Sequence, residues 1–195
     1  MNKYKIIAIC GKSAAGKDSL LQEIIRTNPE AHEIVSCTTR PPREGEVHGK
    51  NYYFMSVEEF AHKDCMGEML EISHFRDWYY GTSIEGLDPN VINVGVFNPT
   101  GIWALMNDER VQLYVVRVDA TDKERLLRSL SREQNPDVDE IIRRYTTDKE
   151  DFEWFSQVCE PDYIFFNGGK RDFRITAVAT DIPTFARCLW AEQTN

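Results

Sequence analysis

The stretch Gly11-Lys12-Ser13-Ala14-Ala15-Gly16-Lys17-Asp18 constrains this chain more than any other. It follows Lys3-Tyr4-Lys5-Ile6-Ile7-Ala8-Ile9-Cys10, an apolar run of strand composition, and precedes Leu20, Leu21, Ile24 and Ile25, which recur at helical spacing. In that context the glycines permit a tight turn whose backbone N–H groups wrap a phosphate, and Lys17 places a point charge on terminal phosphates. The last residue departs from the pattern G-x-x-x-x-G-K-[ST]. Asp18 stands where a hydroxyl would serve the Mg²⁺ that accompanies a nucleoside triphosphate. A carboxylate can hold that ion too, but without the metal it repels phosphates. Ser19 does not take over, because adjacent helical residues point about 100° apart. Nucleotide binding is therefore expected to depend strongly on Mg²⁺.

Apolar runs at residues 6–10, 34–36, 91–97, 113–118 and 163–166 alternate with helical patterns. Such alternation predicts an α/β core, a parallel sheet with crossover helices. Residues 37–90 differ in character, being rich in Tyr, Phe, Gly and turn signals. They hold one short helix, opened by Ser56 with Glu59 as a capping box, among short antiparallel strands. This reads as an inserted substrate-binding subdomain. A second insertion, residues 119–145, is dense in charged side chains. Thr121 or Asp122 caps its first helix and Asn135-Pro136-Asp137 breaks it. The core is then expected in residues 1–36, 91–118 and 146–195.

With 195 residues and a net charge of −9, the chain presents no general nucleic-acid-binding surface. An anionic ligand needs a local positive cluster, as at residues 40–43 and 125–144. Five cysteines without C-x-x-C spacing suggest reduced thiols in a cytoplasmic protein and no zinc site. No signal-peptide pattern is present, and no apolar run approaches the ~20 residues of a membrane span.

At Ser36-Cys37-Thr38-Thr39-Arg40-Pro41-Pro42-Arg43-Glu44-Gly45-Glu46 the chain resembles guanylate kinases, enzymes that move the γ-phosphoryl of ATP to GMP. The likeness continues through Gly49-Lys50-Asn51-Tyr52-Tyr53-Phe54, Ser56-Val57-Glu58-Glu59-Phe60, Glu71 and Tyr79-Tyr80-Gly81-Thr82, with the family's spacing kept from Ser36 to Thr82. The resemblance implies a P-loop nucleoside-monophosphate-kinase fold: a parallel core sheet flanked by helices, an inserted mixed-β monophosphate subdomain and a small helical lid. It implies ATP as donor, Mg²⁺ as cofactor and GMP or dGMP as acceptor. The expected protein is a monomer or weak homodimer that engages neither a nucleic-acid polymer nor a membrane.

By the same resemblance, Gly11, Lys12, Ser13, Ala14, Ala15, Gly16, Lys17, Asp18, Ser19 and Asn167 take the ATP side, with Asp18 at the metal. Arg40 and Arg43 bracket two stiffening prolines and, with the hydroxyls of Tyr52 and Tyr80, look like the clamp on the monophosphate. Glu71 matches the base-reading carboxylate, which accepts from both N1–H and the N2 amine of guanine. Ser36 and Thr82 match further contacts to the base. Lys17, Arg132 and Arg143 are the implied catalytic cations, with Arg128 and Arg144 near enough to compete.

The pattern breaks at the third core strand. Guanylate kinases usually carry an Asp-x-Asp pair there, and alignment on Gly101 puts Val96 and Asn98 in its place. An Asn amide still accepts from the guanine amine but adds a donor that tolerates other bases. Residues 83–89 also leave little room for the customary helix. A carboxylate lost at Val96 and one gained at Asp18 suggest that the metal-associated charge has been relocated. Two alternatives follow: a deoxynucleoside-monophosphate kinase of relaxed base choice, as in phage-type enzymes that share Gly-Lys-Asp, and a non-catalytic guanylate-kinase-like binding module. The persistence of Lys17, Arg40, Arg43, Arg132 and Arg143 weighs against the module.

Overall fold

The first apolar run becomes the middle strand of a parallel sheet, because both of its faces have helices to pack against. The computed structural model describes residues 3–132, 134–168 and 174–192, so the outermost ends of the expected core lie outside the described residues. Strand β1 (Tyr4–Cys10) leads through the glycine loop into α1 (Lys17–Thr27). Strands β2 (His32–Glu33), β3 (Cys37–Thr38) and β4 (Tyr53–Phe54) precede α2 (Val57–Cys65). A hairpin of β5 (Met69–Phe75) and β6 (Trp78–Ser83) follows, then β7 (Ile92–Val96) and α3 (Pro99–Met106). The remainder is β8 (Val111–Asp119), α4 (Asp122–Ser131), α5 (Val138–Val158), β9 (Tyr163–Phe166) and α6 (Arg174–Glu192).

The core sheet has the order β2-β7-β1-β8-β9, and every pairing in it is parallel. Strand periodicity divides β1 between two packed layers. Ile7 and Ile9 join Leu20, Leu21 and Ile24 of α1 and Ile182, Ala186 and Trp190 of α6. Ile6, Ala8 and Cys10 join Ile102 and Leu105 of α3 and Phe155 of α5. A strand buried on both faces reads as an unbroken apolar run, as residues 6–10 do.

The expected strand at residues 34–36 is displaced. Only His32 and Glu33 pair with β7, and Ile34 adds one bond from its N–H to the Val94 carbonyl (2.8 Å). Beyond it the chain crosses to a second sheet, where the Ser36 carbonyl accepts from the Tyr53 N–H (2.9 Å). Ile34 is apolar because it packs in the core between the sheets, and that burial mimics a strand signal.

The second sheet has the order β4-β3-β6-β5 and is mixed: β3 pairs parallel with β4 and antiparallel with β6. It packs on the core through β5 and α3. The Ser56–Glu59 capping box opens α2 as expected. Thr121, with Glu124, caps α4, and Asp137 caps α5, which then runs without a break past Tyr145. Residues 84–86 form a single 3₁₀ turn where a longer helix has no room. No helix among the described residues is long and apolar enough to cross a membrane.

Candidate active site

The glycine loop lies at the carboxyl end of β1, where ligands bind in open parallel sheets. Gly11 (φ +152°) and Gly16 (φ +106°) adopt conformations that side chains disfavour. A Cβ on Gly11 would stand 2.3 Å from the Val118 carbonyl oxygen, and one on Gly16 would stand 2.2 Å from Asn167 Nδ2. Both glycines are therefore required by close packing as well as by the turn. Lys17 bends back so that Nζ donates to the carbonyls of Gly11 (2.8 Å) and Lys12 (3.3 Å), and burial lowers its pKa. Asp18 and Ser19 are exposed on the first turn of α1.

The loop is braced from behind by Asp148 and Arg125, to which the sequence assigns no role, together with Arg128 and Asn167. The Asp148 carboxylate accepts from the Ser13 N–H (2.7 Å) and the Ser13 hydroxyl (3.1 Å). Arg125, 3% exposed, pairs with that carboxylate (2.5 Å) and donates to the Ser13 carbonyl (2.9 Å). Arg128 donates to the carbonyls of Ala14 (3.3 Å), Ala15 (3.2 Å) and Asn167 (2.8 Å). Asn167 in turn donates to the Ala15 carbonyl (2.8 Å), so it buttresses the loop from the end of β9. Ser13 and Asp148 lie 135 positions apart, and no local signal announces such a contact.

A cavity of about 130 Å³ opens beside Ser13 and Ala14, with Arg132 and Arg144 in its wall. Arg143 is not part of that wall. Its guanidinium lies over the Phe75 ring, 5.1 Å from the centroid. The two neighbours on α5 diverge because consecutive helical residues point about 100° apart. The structure thus brings Arg132 and Arg144 to the loop and leaves Arg143 facing the inserted sheet.

On that sheet Arg40 is buried, and its guanidinium donates to both carboxylate oxygens of Glu46 (2.8 and 3.0 Å) and to the Pro41 carbonyl (2.8 Å). The rings of Tyr52 and Phe54 flank it at 5.6 and 5.8 Å. Glu46 also accepts from the Arg43 N–H (2.7 Å), which shapes the loop and leaves the Arg43 side chain exposed. Tyr80 packs edge-on against Tyr52 at 5.9 Å. Arg40, Tyr52 and Tyr80 therefore form one group, with Glu46 as an organising residue absent from the expected set.

Glu71 on β5 is buried and accepts from the Thr82 hydroxyl (2.9 Å). Burial raises its carboxyl to about 7, against a smaller downward pull from that bond. A methyl at Gly101 would lie 3.1 Å from both Glu71 Oε2 and Asn98 Oδ1, so two acceptors converge at the seam between sheets. The Asn98 oxygen is already engaged as the N-cap of α3, accepting from Gly101 N–H (2.7 Å) and the Thr100 hydroxyl (3.0 Å). Val96 ends β7 beside Ile9 of β1. Ser36 is half-buried at the crossing into the second sheet.

A family model described as guanylate kinase matches residues 3–93. A curated guanylate kinase from a Nostoc species is 43% identical over 83 residues, which are 43% of this chain and 42% of that protein. One from Geobacter metallireducens is 48% identical over 80 residues, 41% of this chain and 39% of its own length. The chain thus spans about two fifths of the length of the curated relatives it matches. The crystal structure of guanylate kinase from Anaplasma phagocytophilum covers 96% of this chain and 87% of its own, with a TM-score of 0.59 and 23% identity. That likeness shows the fold, a P-loop nucleoside-monophosphate-kinase fold, along nearly the whole chain. The family match takes in the loop, the Arg40 group, Glu71 and Thr82. Asn98, Arg132, Arg143, Arg144 and Asn167 fall beyond it.

Proposed function

We propose that the chain, whose residues 3–93 match the guanylate kinase family model, transfers the γ-phosphoryl of ATP to GMP or dGMP, giving ADP and the guanine diphosphate. The observation that carries this reading is the buried Glu71. A buried carboxylate with a single hydroxyl partner keeps acceptor capacity on both oxygens and asks for a ligand edge with two adjacent donors. Guanine N1–H and N2 amine supply that edge, and adenine does not. The relatives favour neither relaxed base choice nor a non-catalytic module.

In this reading the loop N–H groups hold the triphosphate, with Lys17 leaving the Gly11 and Lys12 carbonyls for the terminal phosphates. Arg40, Arg43, Tyr52 and Tyr80 hold the acceptor phosphate, and Ser36, Thr82 and Asn98 complete the base pocket around Glu71. An oxygen of the monophosphate attacks the γ-phosphorus while the bond to the β–γ bridging oxygen breaks. No general base is required, because the attacking oxygen is already anionic. Arg132 and Arg144 stand where charge spreads in the transition state, with Arg143 behind them. An oxygen-binding cation suits the site, since the exposed Asp18 carboxylate follows Lys17 directly. Mg²⁺ would neutralise charge on the β- and γ-phosphates there.

Residues 37–90 act as the monophosphate-binding subdomain and residues 119–145 as the lid, closing to exclude water. The setting is cytoplasmic, in keeping with five free cysteines, and the working form is a monomer or weak homodimer. A coupled assay of ADP release over a panel of monophosphates tests the function. Turnover is expected with GMP and dGMP and at least about 100-fold less kcat/KM with AMP, CMP and UMP, in line with the rejection a hydrogen-bonding pocket achieves. ADP release with none of them would overturn it.

A further inference from the structure

The tip of the β5–β6 hairpin touches α5. Arg76 there has φ +55°, an unusual conformation for a residue with a side chain. Its guanidinium stands 3.5 Å from the Glu140 carboxylate on α5 and 5.4 Å from the Phe75 ring centroid. The opposite side of the contact is Arg143 over the same ring. Glu140 also accepts from Arg143 through Nε (2.7 Å) and Nη2 (2.9 Å), and from Arg144 through Nε (2.8 Å). One carboxylate thus gathers three guanidinium groups, one from the inserted sheet and two from the lid. Glu140 and Arg144 share the wall of the cavity beside Ser13.

Arg144 is held through Nε and lines that cavity, so its Nη donors remain for a ligand there. Each pair is partly exposed, and exposed pairs are weak enough to exchange partners readily. The hairpin belongs to the sheet that holds Arg40 and Glu71, so it is a direct structural link between the monophosphate site and α5.

We propose that Glu140 is a positioning residue that acts through Arg144, and that docking of Phe75 and Arg76 on α5 couples the monophosphate site to the triphosphate cavity. This rests on the function proposed above. The test is calorimetric titration of GMP, with and without a saturating non-hydrolysable ATP analogue and Mg²⁺, into the full chain and into the double variant Phe75→Ala, Arg76→Ala. Both substituted residues are exposed at a hairpin tip, so the fold should survive. The wild type is expected to bind GMP about fivefold more tightly when the analogue is present, the lower end of ordinary coupling. The double variant is expected to bind each ligand alone as the wild type does, with the enhancement gone. Glu140→Gln, which keeps the shape and removes the charge, is expected to lower kcat about fivefold with both KM values and the melting temperature unchanged. A wild type without coupling, coupling that survives in the double variant, or an unaltered kcat in Glu140→Gln would overturn this inference while GMP binding stands. Absence of GMP binding in the wild type would overturn the function and this inference together.

Discussion

In the proposed function, Glu71 links ligand choice to pH. Its carboxyl ionises near 7 in the folded chain against 4.5 when exposed, because burial disfavours the charge. Between those values the folded form keeps a proton that the unfolded form has released, so stability falls as pH rises from about 4.5 to 7. A shift of this size corresponds to about 3 kcal/mol. Urea unfolding at pH 5 and pH 8 is expected to show that loss in the wild type and its absence in Glu71→Gln. The ionised form accepts both guanine donors, so GMP affinity should rise between pH 6 and pH 8 and lose this rise in the variant. Asp18 makes a second residue-level test. Asp18→Ser is expected to lower Mg²⁺-dependent turnover several-fold, with Val96→Asp restoring part of it. Undiminished activity and an unchanged Mg²⁺ requirement in the single variant would show that the two positions do not share a charge.

At the scale of elements, the phosphate loop owes its shape to α4 and α5 as much as to its own glycines. Arg125 of α4 and Asp148 of α5 meet at Ser13, and the ion pair is largely withdrawn from water. Removing one partner of such a pair leaves a buried charge alone, at a cost of about 3 kcal/mol. Arg125→Ala is expected to lower unfolding stability by about that amount and to weaken ATP binding. A loss below about 1 kcal/mol would mean that the loop holds itself. This brace was not legible in the sequence, since charged residues dense on a helix read as solvated surface. The Ser56 cap was legible, and Thr121 was one of two candidates with Asp122, because a cap acts within three residues of itself; Asp137, which caps α5, was read only as part of a helix break. Which of Arg143 and Arg144 faces the loop was not legible: it depends on the rotational phase of α5, fixed by its packing.

For the whole molecule, what the sequence made plain was contiguous or evenly spaced. The glycine loop, the alternation of core strands with helices and the run from Ser36 to Thr82 each carry their meaning along the chain. Glu71 became a site residue only through its register within that run, and the structure gives the physical reason by burying it at the seam with α3. Ile34 misled because burial between two sheets produces the same apolar signature as a strand. In the proposed function two phosphate-holding groups lie on separate sheets, and a phosphoryl group passes directly between the nucleotides they hold. Phosphorus NMR of the full chain with ATP, GMP and Mg²⁺ reads that exchange without a coupling enzyme. The account requires ADP and GDP to appear in equal amounts with no inorganic phosphate; inorganic phosphate in place of GDP, or an unchanged spectrum, would contradict it.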